Sequence, residues 1–237
     1  MVKRGEVLWA SLPAAAQEEM DEVVAMLTEA AAQGHMMAQA YLADIYAFGQ
    51  AVAQDYGRAF ELYRQAARQG HALSQTNLGV SYRDGLGVPQ SYERAFELFK
   101  LSAAQGNALA TTNLGASYYN GRGVDQSYAE ARRLFELAVA RGEAYAASVN
   151  LQRLNDFIQQ RCPLLGQRVV LRGLTTAALN GTRGTAVDFG CSERDPETGK
   201  RLTASGRYTV RLDGPERRLV KVRVGNVEED EEGGGAS

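Results

Sequence analysis

The stretch His71-Ala72-Leu73-Ser74-Gln75-Thr76-Asn77-Leu78-Gly79 returns 36 residues later as Asn107-Ala108-Leu109-Ala110-Thr111-Thr112-Asn113-Leu114-Gly115. Glycines keep the same interval at Gly34, Gly70, Gly106 and Gly142. A fixed period of this size signals a solenoid, in which each unit packs mainly on its neighbours. Such arrays usually work by offering an extended surface, not by enclosing a catalytic pocket.

Each period reads as two helices. The first covers about 72–84 in the middle unit, where Ser74, Leu78 and Tyr82 recur at steps of four and so share one face. Gly49, Gly85 and Gly121 follow these helices at the position where the chain turns left-handed. A short loop, Leu86-Gly87-Val88-Pro89-Gln90, leads to the second helix, whose N-caps are Asp55, Ser91 and Ser127. Ser127-Tyr128-Ala129-Glu130 has capping-box spacing. Ala95, Leu98, Phe99, Ser102 and Ala103 form the apolar stripe. Ala59, Leu62, Tyr63, Ala66 and Ala67 repeat it, as do Ala131, Leu134, Phe135, Ala138 and Val139. Small residues let helices approach closely, and a bulky substitute would overpack the contact at about 1–3 kcal/mol.

These residues resemble the Sel-1-like repeat family, a relative of the tetratricopeptide repeat. Residues 71–106 and 107–142 fit its pattern closely. Residues 35–70 fit with two lapses: Ala43 replaces a helix glycine and Ala51 a loop glycine. The first lapse is expected to be harmless, because Ala is the better helix former; the second is expected to alter its loop. Residues 19–34 look like a lone second helix and 143–159 like a lone first helix. In the latter, Asn150 stands where the pattern has Leu, and Gln152, Arg153, Asn155 and Asp156 make a polar cap for the array.

The resemblance implies that first helices line a concave face. Aligned units then give rows along it: Met37, Leu73, Leu109 and Tyr145; Tyr41, Asn77 and Asn113; Asp44, Val80 and Ala116; Phe48, Asp84 and Asn120. In tetratricopeptide relatives an asparagine before the pattern leucine can grip a peptide backbone or a terminal carboxylate, since its amide both donates and accepts. The row beginning at Met37 carries no charge, which argues against a clamp for a C-terminal carboxylate and for an apolar or aromatic segment. Simple helix packing would account for the same residues. His35 and His71 share one repeat position and need no chemistry to explain them. No phosphate loop, nucleophile motif or His/Asp/Glu cluster is present, so neither an enzyme nor a cofactor or metal site is expected.

The formal net charge of −2 conceals three regions. Residues 1–160 carry 13 Lys and Arg against 17 Asp and Glu; residues 161–227 carry 13 against 6; residues 228–232 are all acidic. Such asymmetry marks separate segments. Cys162 and Cys191 are the only cysteines, too few for a zinc site without nearby histidines, and either free or paired with each other. The N-terminus is a poor signal peptide, and no run approaches the roughly 20 apolar residues of a membrane span. A soluble cytoplasmic protein is the expectation.

Beyond Pro163 the period changes to two. Strand signals cover Gln167–Leu171, Thr185–Phe189, Arg207–Leu212 and Leu219–Val224, separated by turn residues. Tyr208, Val210, Leu212, Val220, Val222 and Val224 alternate toward one face. The segment looks like a Src-homology-3-like barrel, with residues 190–205 as an insertion. Its outward face carries Arg207, Arg211, Arg217, Lys221 and Arg223, a candidate anion site. Nucleic acid, the acidic tail at Glu228–Glu232 or solvent would each satisfy it.

The expected architecture is therefore an α+β multidomain chain. A right-handed all-α solenoid spans 12–160, with full repeats at about 35–70, 71–106 and 107–142. A small all-β barrel spans 164–227, and a disordered acidic tail spans 228–237. The expected role is a non-enzymatic adaptor holding a protein or peptide, with nucleic-acid binding by the barrel as the alternative and no membrane partner.

Overall fold

Helix, turn and helix follow one another at an interval of 36 residues in the computed structural model. It describes residues 13–161, 164, 167–172, 174, 177–190, 207–213, 219–223 and 227–229. The helices are α1 (Ala14–Ala32), α2 (Met36–Phe48), α3 (Tyr56–Arg68), α4 (Ala72–Asp84), α5 (Tyr92–Ala104), α6 (Ala108–Asn120), α7 (Tyr128–Ala140) and α8 (Ala144–Arg161). Two compact units divide the chain, Met1–Thr111 and Thr112–Ser237.

The caps set the helix ends as the sequence requires. Asp55, Ser91 and Ser127 each accept a hydrogen bond from the backbone N–H three residues on. Gly49 and Gly85 close α2 and α4 in the left-handed region, at φ 66° and 72°. The loop after α2 then differs from the others in one respect. Ala51 holds φ 63° where the other units place Gly87 and Gly123, at 71° and 75°. The alanine therefore does not alter the turn; it adopts the glycine conformation and carries the strain.

Within the first unit, α1 to α5 stack as successive hairpins, a helical-repeat solenoid. Ala43, Ala66 and Ser102 have no exposed surface, and Ala59 and Ala95 have almost none. Phe60 and Phe96, one residue after the alanines that open each stripe, are also buried. The sequence reading passed over them.

Gly79 shows why the first helix of a unit carries a glycine. A Cβ there would lie 2.6 Å from Cε1 of Phe99, a ring that is itself buried. Gly115 gives Phe135 the same seat, with Cε1 at 2.8 Å. Ala43 stands at the position of Gly79 one period earlier and has no exposed surface. Its aromatic partner is Tyr63, whose hydroxyl is drawn to Asp44, so this seat is built differently.

A second device repeats at the helix ends. Buried Gln39 donates to the carbonyl of Ala31 (3.1 Å) and accepts from Gln69 (2.8 Å). Gln75 donates to Ala67 (3.3 Å) and accepts from Gln105 (2.7 Å). Each buried amide adds a second hydrogen bond to a helix-terminal carbonyl, which also accepts from the backbone N–H of Gly34 or Gly70.

In the second unit the strands β1 (Arg168–Leu171), β2 (Arg183–Gly190), β3 (Arg207–Leu212), β4 (Leu219–Arg223) and β5 (Val227–Glu229) form one antiparallel sheet in the order β4-β3-β2-β1-β5. The predicted strands are present, but the predicted barrel is not closed among the described residues. Each edge strand pairs on one side only, β4 with β3 and β5 with β1. β2 bends at a register shift between Ala186 and Asp188. Glu228 and Glu229, assigned above to a disordered tail, pair with Val170 and Val169, and Glu228 forms an ion pair with Arg172 at 2.8 Å. An exposed edge tolerates such charge, so acidity alone did not preclude a strand. Cys162, Cys191, Pro163, Arg217, Val224 and the remainder of the tail lie outside the described residues.

The sheet does not have a core of its own. Val169, Leu171, Ala186, Tyr208, Val210, Leu212, Val222 and Val227 form one buried cluster with Tyr128, Ala131 and Phe135 of α7 and Leu154 and Ile158 of α8. The polar residues Gln152 and Arg153 of α8 are exposed, as a cap requires, but the helix also has a buried face. The sheet covers that face.

Two substitutions test these packing statements by chemical denaturation. Ala51→Gly should raise stability by about 1 kcal/mol, through relief of a left-handed alanine. Gly79→Ala should lower it by about 1–3 kcal/mol despite the better helix propensity, because Phe99 has no room to move.

Candidate functional site

The residues at steps of four, three and four along α2 are Met37, Tyr41, Asp44 and Phe48, which places them on one stripe. Three of them are exposed: Met37 by 45%, Tyr41 by 55% and Phe48 by 61%. Large apolar side chains on one helix face stay this open only where nothing of the same unit packs on them. The corresponding stripe of α4 is Leu73, Asn77, Val80 and Asp84. Leu73 is 42% exposed, Asn77 and Val80 are half-buried, and Asp84 is exposed and paired with Arg83 at 2.6 Å.

Between these stripes and α3 lies an open cleft of about 570 Å³. Phe48, Tyr56 and Tyr63 give it aromatic walls; Val80 and Leu86 add aliphatic surface, and Asn77 an amide. At its wall the Tyr63 hydroxyl donates to Oδ1 of Asp44 at 2.5 Å. Nδ2 of Asn77 donates to the same oxygen at 3.3 Å. Burial of Tyr63, reinforced by the hydrogen bond to Asp44 and its negative charge, pushes the phenol well above its ordinary value of 10.0. The hydroxyl therefore remains a donor throughout the physiological range.

This polar triad belongs to one repeat interface. One period later the positions of Asp44 and Tyr63 are Val80 and Phe99, and two periods later Ala116 and Phe135. The signal was legible as a tyrosine breaking a phenylalanine row together with an aspartate breaking an apolar one. Reading the rows separately concealed that they meet. Asn77 is not a bare surface amide, since its Nδ2 donates to Asp44.

Leu109 is exposed in the first unit. In the second unit Tyr145 is 84% exposed, Asn113 is half-buried, and exposed Asn120 donates to the carbonyl of Ala116 at 2.8 Å. A second groove, of about 580 Å³, lies between α3 and α5 over Leu78, Leu98 and Leu101. Its rim mixes Arg64, Arg68 and Arg94 with Glu93 and Glu97, so it presents no single charge.

The basic residues of the sheet are arranged by register. Arg207 stands opposite Arg223, Thr209 opposite Lys221 and Arg211 opposite Leu219. Arg211 and Lys221 are exposed. Two other arginines of this unit form ion pairs: Arg168 with Asp213, and Arg172 with Glu228. Among the described residues no cluster of three metal-ligating side chains occurs, and no helix is long and apolar enough to cross a membrane.

Residues 37–71, 72–107 and 108–143 each match the Sel1 repeat, so the chain carries three such repeats. No curated protein sequence matches it. Among solved structures, it is similar to c5321, a protective antigen of uropathogenic Escherichia coli displaying an SLR fold. That match has 34% identity and a TM-score of 0.49, over 51% of this chain and 26% of that one. A Sel1 repeat protein from Oxalobacter formigenes is 26% identical with a TM-score of 0.49, over 59% of this chain and 64% of that one. The cysteine rich protein B of Helicobacter pylori is 17% identical with a TM-score of 0.44, over 56% and 96%. The chain thus spans about a quarter of the first structure and under two thirds of the second. Sel1 repeat proteins are in general non-enzymatic scaffolds for protein interaction.

Tyr63→Phe tests the triad. The neutral phenol is favoured in the fold, so its contribution is intact below pH 10 and is lost as pH rises above that value, where the unfolded chain's tyrosine ionises. The variant should lose about 1 kcal/mol at pH 7. In urea titrations its deficit against the parent chain should shrink between pH 10 and 11.

Proposed function

We propose that this protein is an adaptor without catalytic activity, and that the first-helix face of its Sel1 repeats holds an extended segment of another protein. The observation that carries this reading is the exposure of Met37, Tyr41, Phe48 and Leu73 beside the aromatic cleft. Contiguous exposed apolar side chains with a polar anchor are the composition of a protein-binding surface. Asn77 and Asp44 supply the anchor, while Leu109, Asn113, Asn120 and Tyr145 continue the same sequence rows into later repeats. In this reading the antiparallel sheet, in the order β4-β3-β2-β1-β5, is a structural stop for the last helices.

The test is a pull-down from source cells with the parent chain and with Leu73→Arg/Asn77→Arg. Partners recovered by the parent chain should fall by about tenfold or more with the double variant, the loss expected when central contacts of an interface are removed. Circular dichroism should show unchanged helix content. Recovery of the same partners at the same yield would exclude the cleft as the site.

A further inference from the structure

Two residues of the cleft wall, Tyr63 and Asn77, hold a carboxylate that they do not neutralise. Asp44 is half-buried, and its hydrogen-bond partners among the described residues are a phenol and an amide, both uncharged. Both donate to Oδ1, so Oδ2 and the amide oxygen of Asn77 are left as acceptors. The remaining charges on the two stripes do not change the balance. Asp84 is also acidic and is matched by Arg83.

A neutral apolar segment laid across this site would strip water from an ionised carboxylate and return nothing, which is costly. A cation would instead complete the pair. The groups flanking Asp44 on its own stripe suit one. Tyr41 and Phe48 are exposed rings one turn to either side, and aromatic faces attract ammonium and guanidinium groups. Their apolar surface, with that of Met37 and Leu73, would take the residues beside the cation.

Resting on the reading of the cleft as a protein-binding surface, we propose that its partner is a segment with a lysine or arginine side chain flanked by apolar residues, and that Asp44 seats that cation. Tyr63 and Asn77 are positioning residues: they fix the carboxylate and supply no charge. The specificity is local to the first repeat, because Val80 and Ala116 occupy the same place in the next two.

The experiment is selection of a random 12-residue peptide library on the full chain, followed by fluorescence anisotropy of single enriched peptides with acetylated N-termini. Enriched peptides should carry Lys or Arg next to Leu, Phe or Tyr. Asp44→Asn, which keeps an acceptor for Tyr63, should weaken them tenfold or more. Replacing the peptide's lysine by norleucine should cost the parent chain the same factor and cost Asp44→Asn almost nothing further. Asp44→Val/Tyr63→Phe, which copies the Val80 and Phe99 pair of the following repeat, should behave like Asp44→Asn if the carboxylate alone is responsible.

Enrichment of peptides without a basic residue would overturn the proposal while leaving the cleft as a binding surface. So would a norleucine penalty equal on both chains, or binding that depends on a free N-terminal amine. Enrichment indifferent to Leu73→Arg, or none at all, would remove the cleft itself and this proposal with it.

Discussion

The close approach of one helix to the next, made possible by residues with almost no side chain, is the constraint on which the repeats depend. Gly79 and Gly115 are seats for the rings of Phe99 and Phe135, and a single added carbon would collide with either ring. Ala66, Ser102 and Ala138 have no exposed surface. Dense interiors penalise a change of one methylene, so these positions fix helix spacing within narrow limits. The glutamines at 39, 69, 75 and 105 work to the same end. Gln39 and Gln75 each tie a helix-terminal carbonyl to the amide of a glutamine on the following unit, Gln69 or Gln105.

A periodic scaffold makes its exceptions informative. Every side chain that serves packing alone can recur, as Ala59, Ala95 and Ala131 do. Asp44 and Tyr63 do not recur, and they are the pair that brings charge to the cleft wall. Substituting tyrosine for phenylalanine keeps the ring in the core and adds one hydroxyl at its rim. That hydroxyl is what holds the carboxylate in place.

Much of the helical part was legible in the sequence because its signals are local. The N-caps Asp55, Ser91 and Ser127 and the terminating Gly49 and Gly85 each act within a few residues. The strands too were legible, from alternation at Tyr208, Val210 and Leu212. What escaped was set by partners distant along the chain. The role of Gly79 depends on a ring 20 residues away, and the short strand β5 depends on an edge offered by β1. Closure of the sheet was an inference from strand number, and strand number does not determine whether the two edges meet. Of the candidate site, the rows were legible and their meeting was not, since Asp44, Tyr63 and Asn77 lie on three helices.

The shared core of α7, α8 and the sheet bears on how this molecule can be divided. Leu154 and Ile158 are buried together with Val169, Leu171 and Tyr208, although a change of secondary structure falls between them in the chain. A cut at that apparent boundary, by protease or by subcloning, would leave two sticky apolar halves. Helices and strands here are a single heritable cassette: the last repeat could be duplicated or exchanged only if the surface that meets the strands travelled with it.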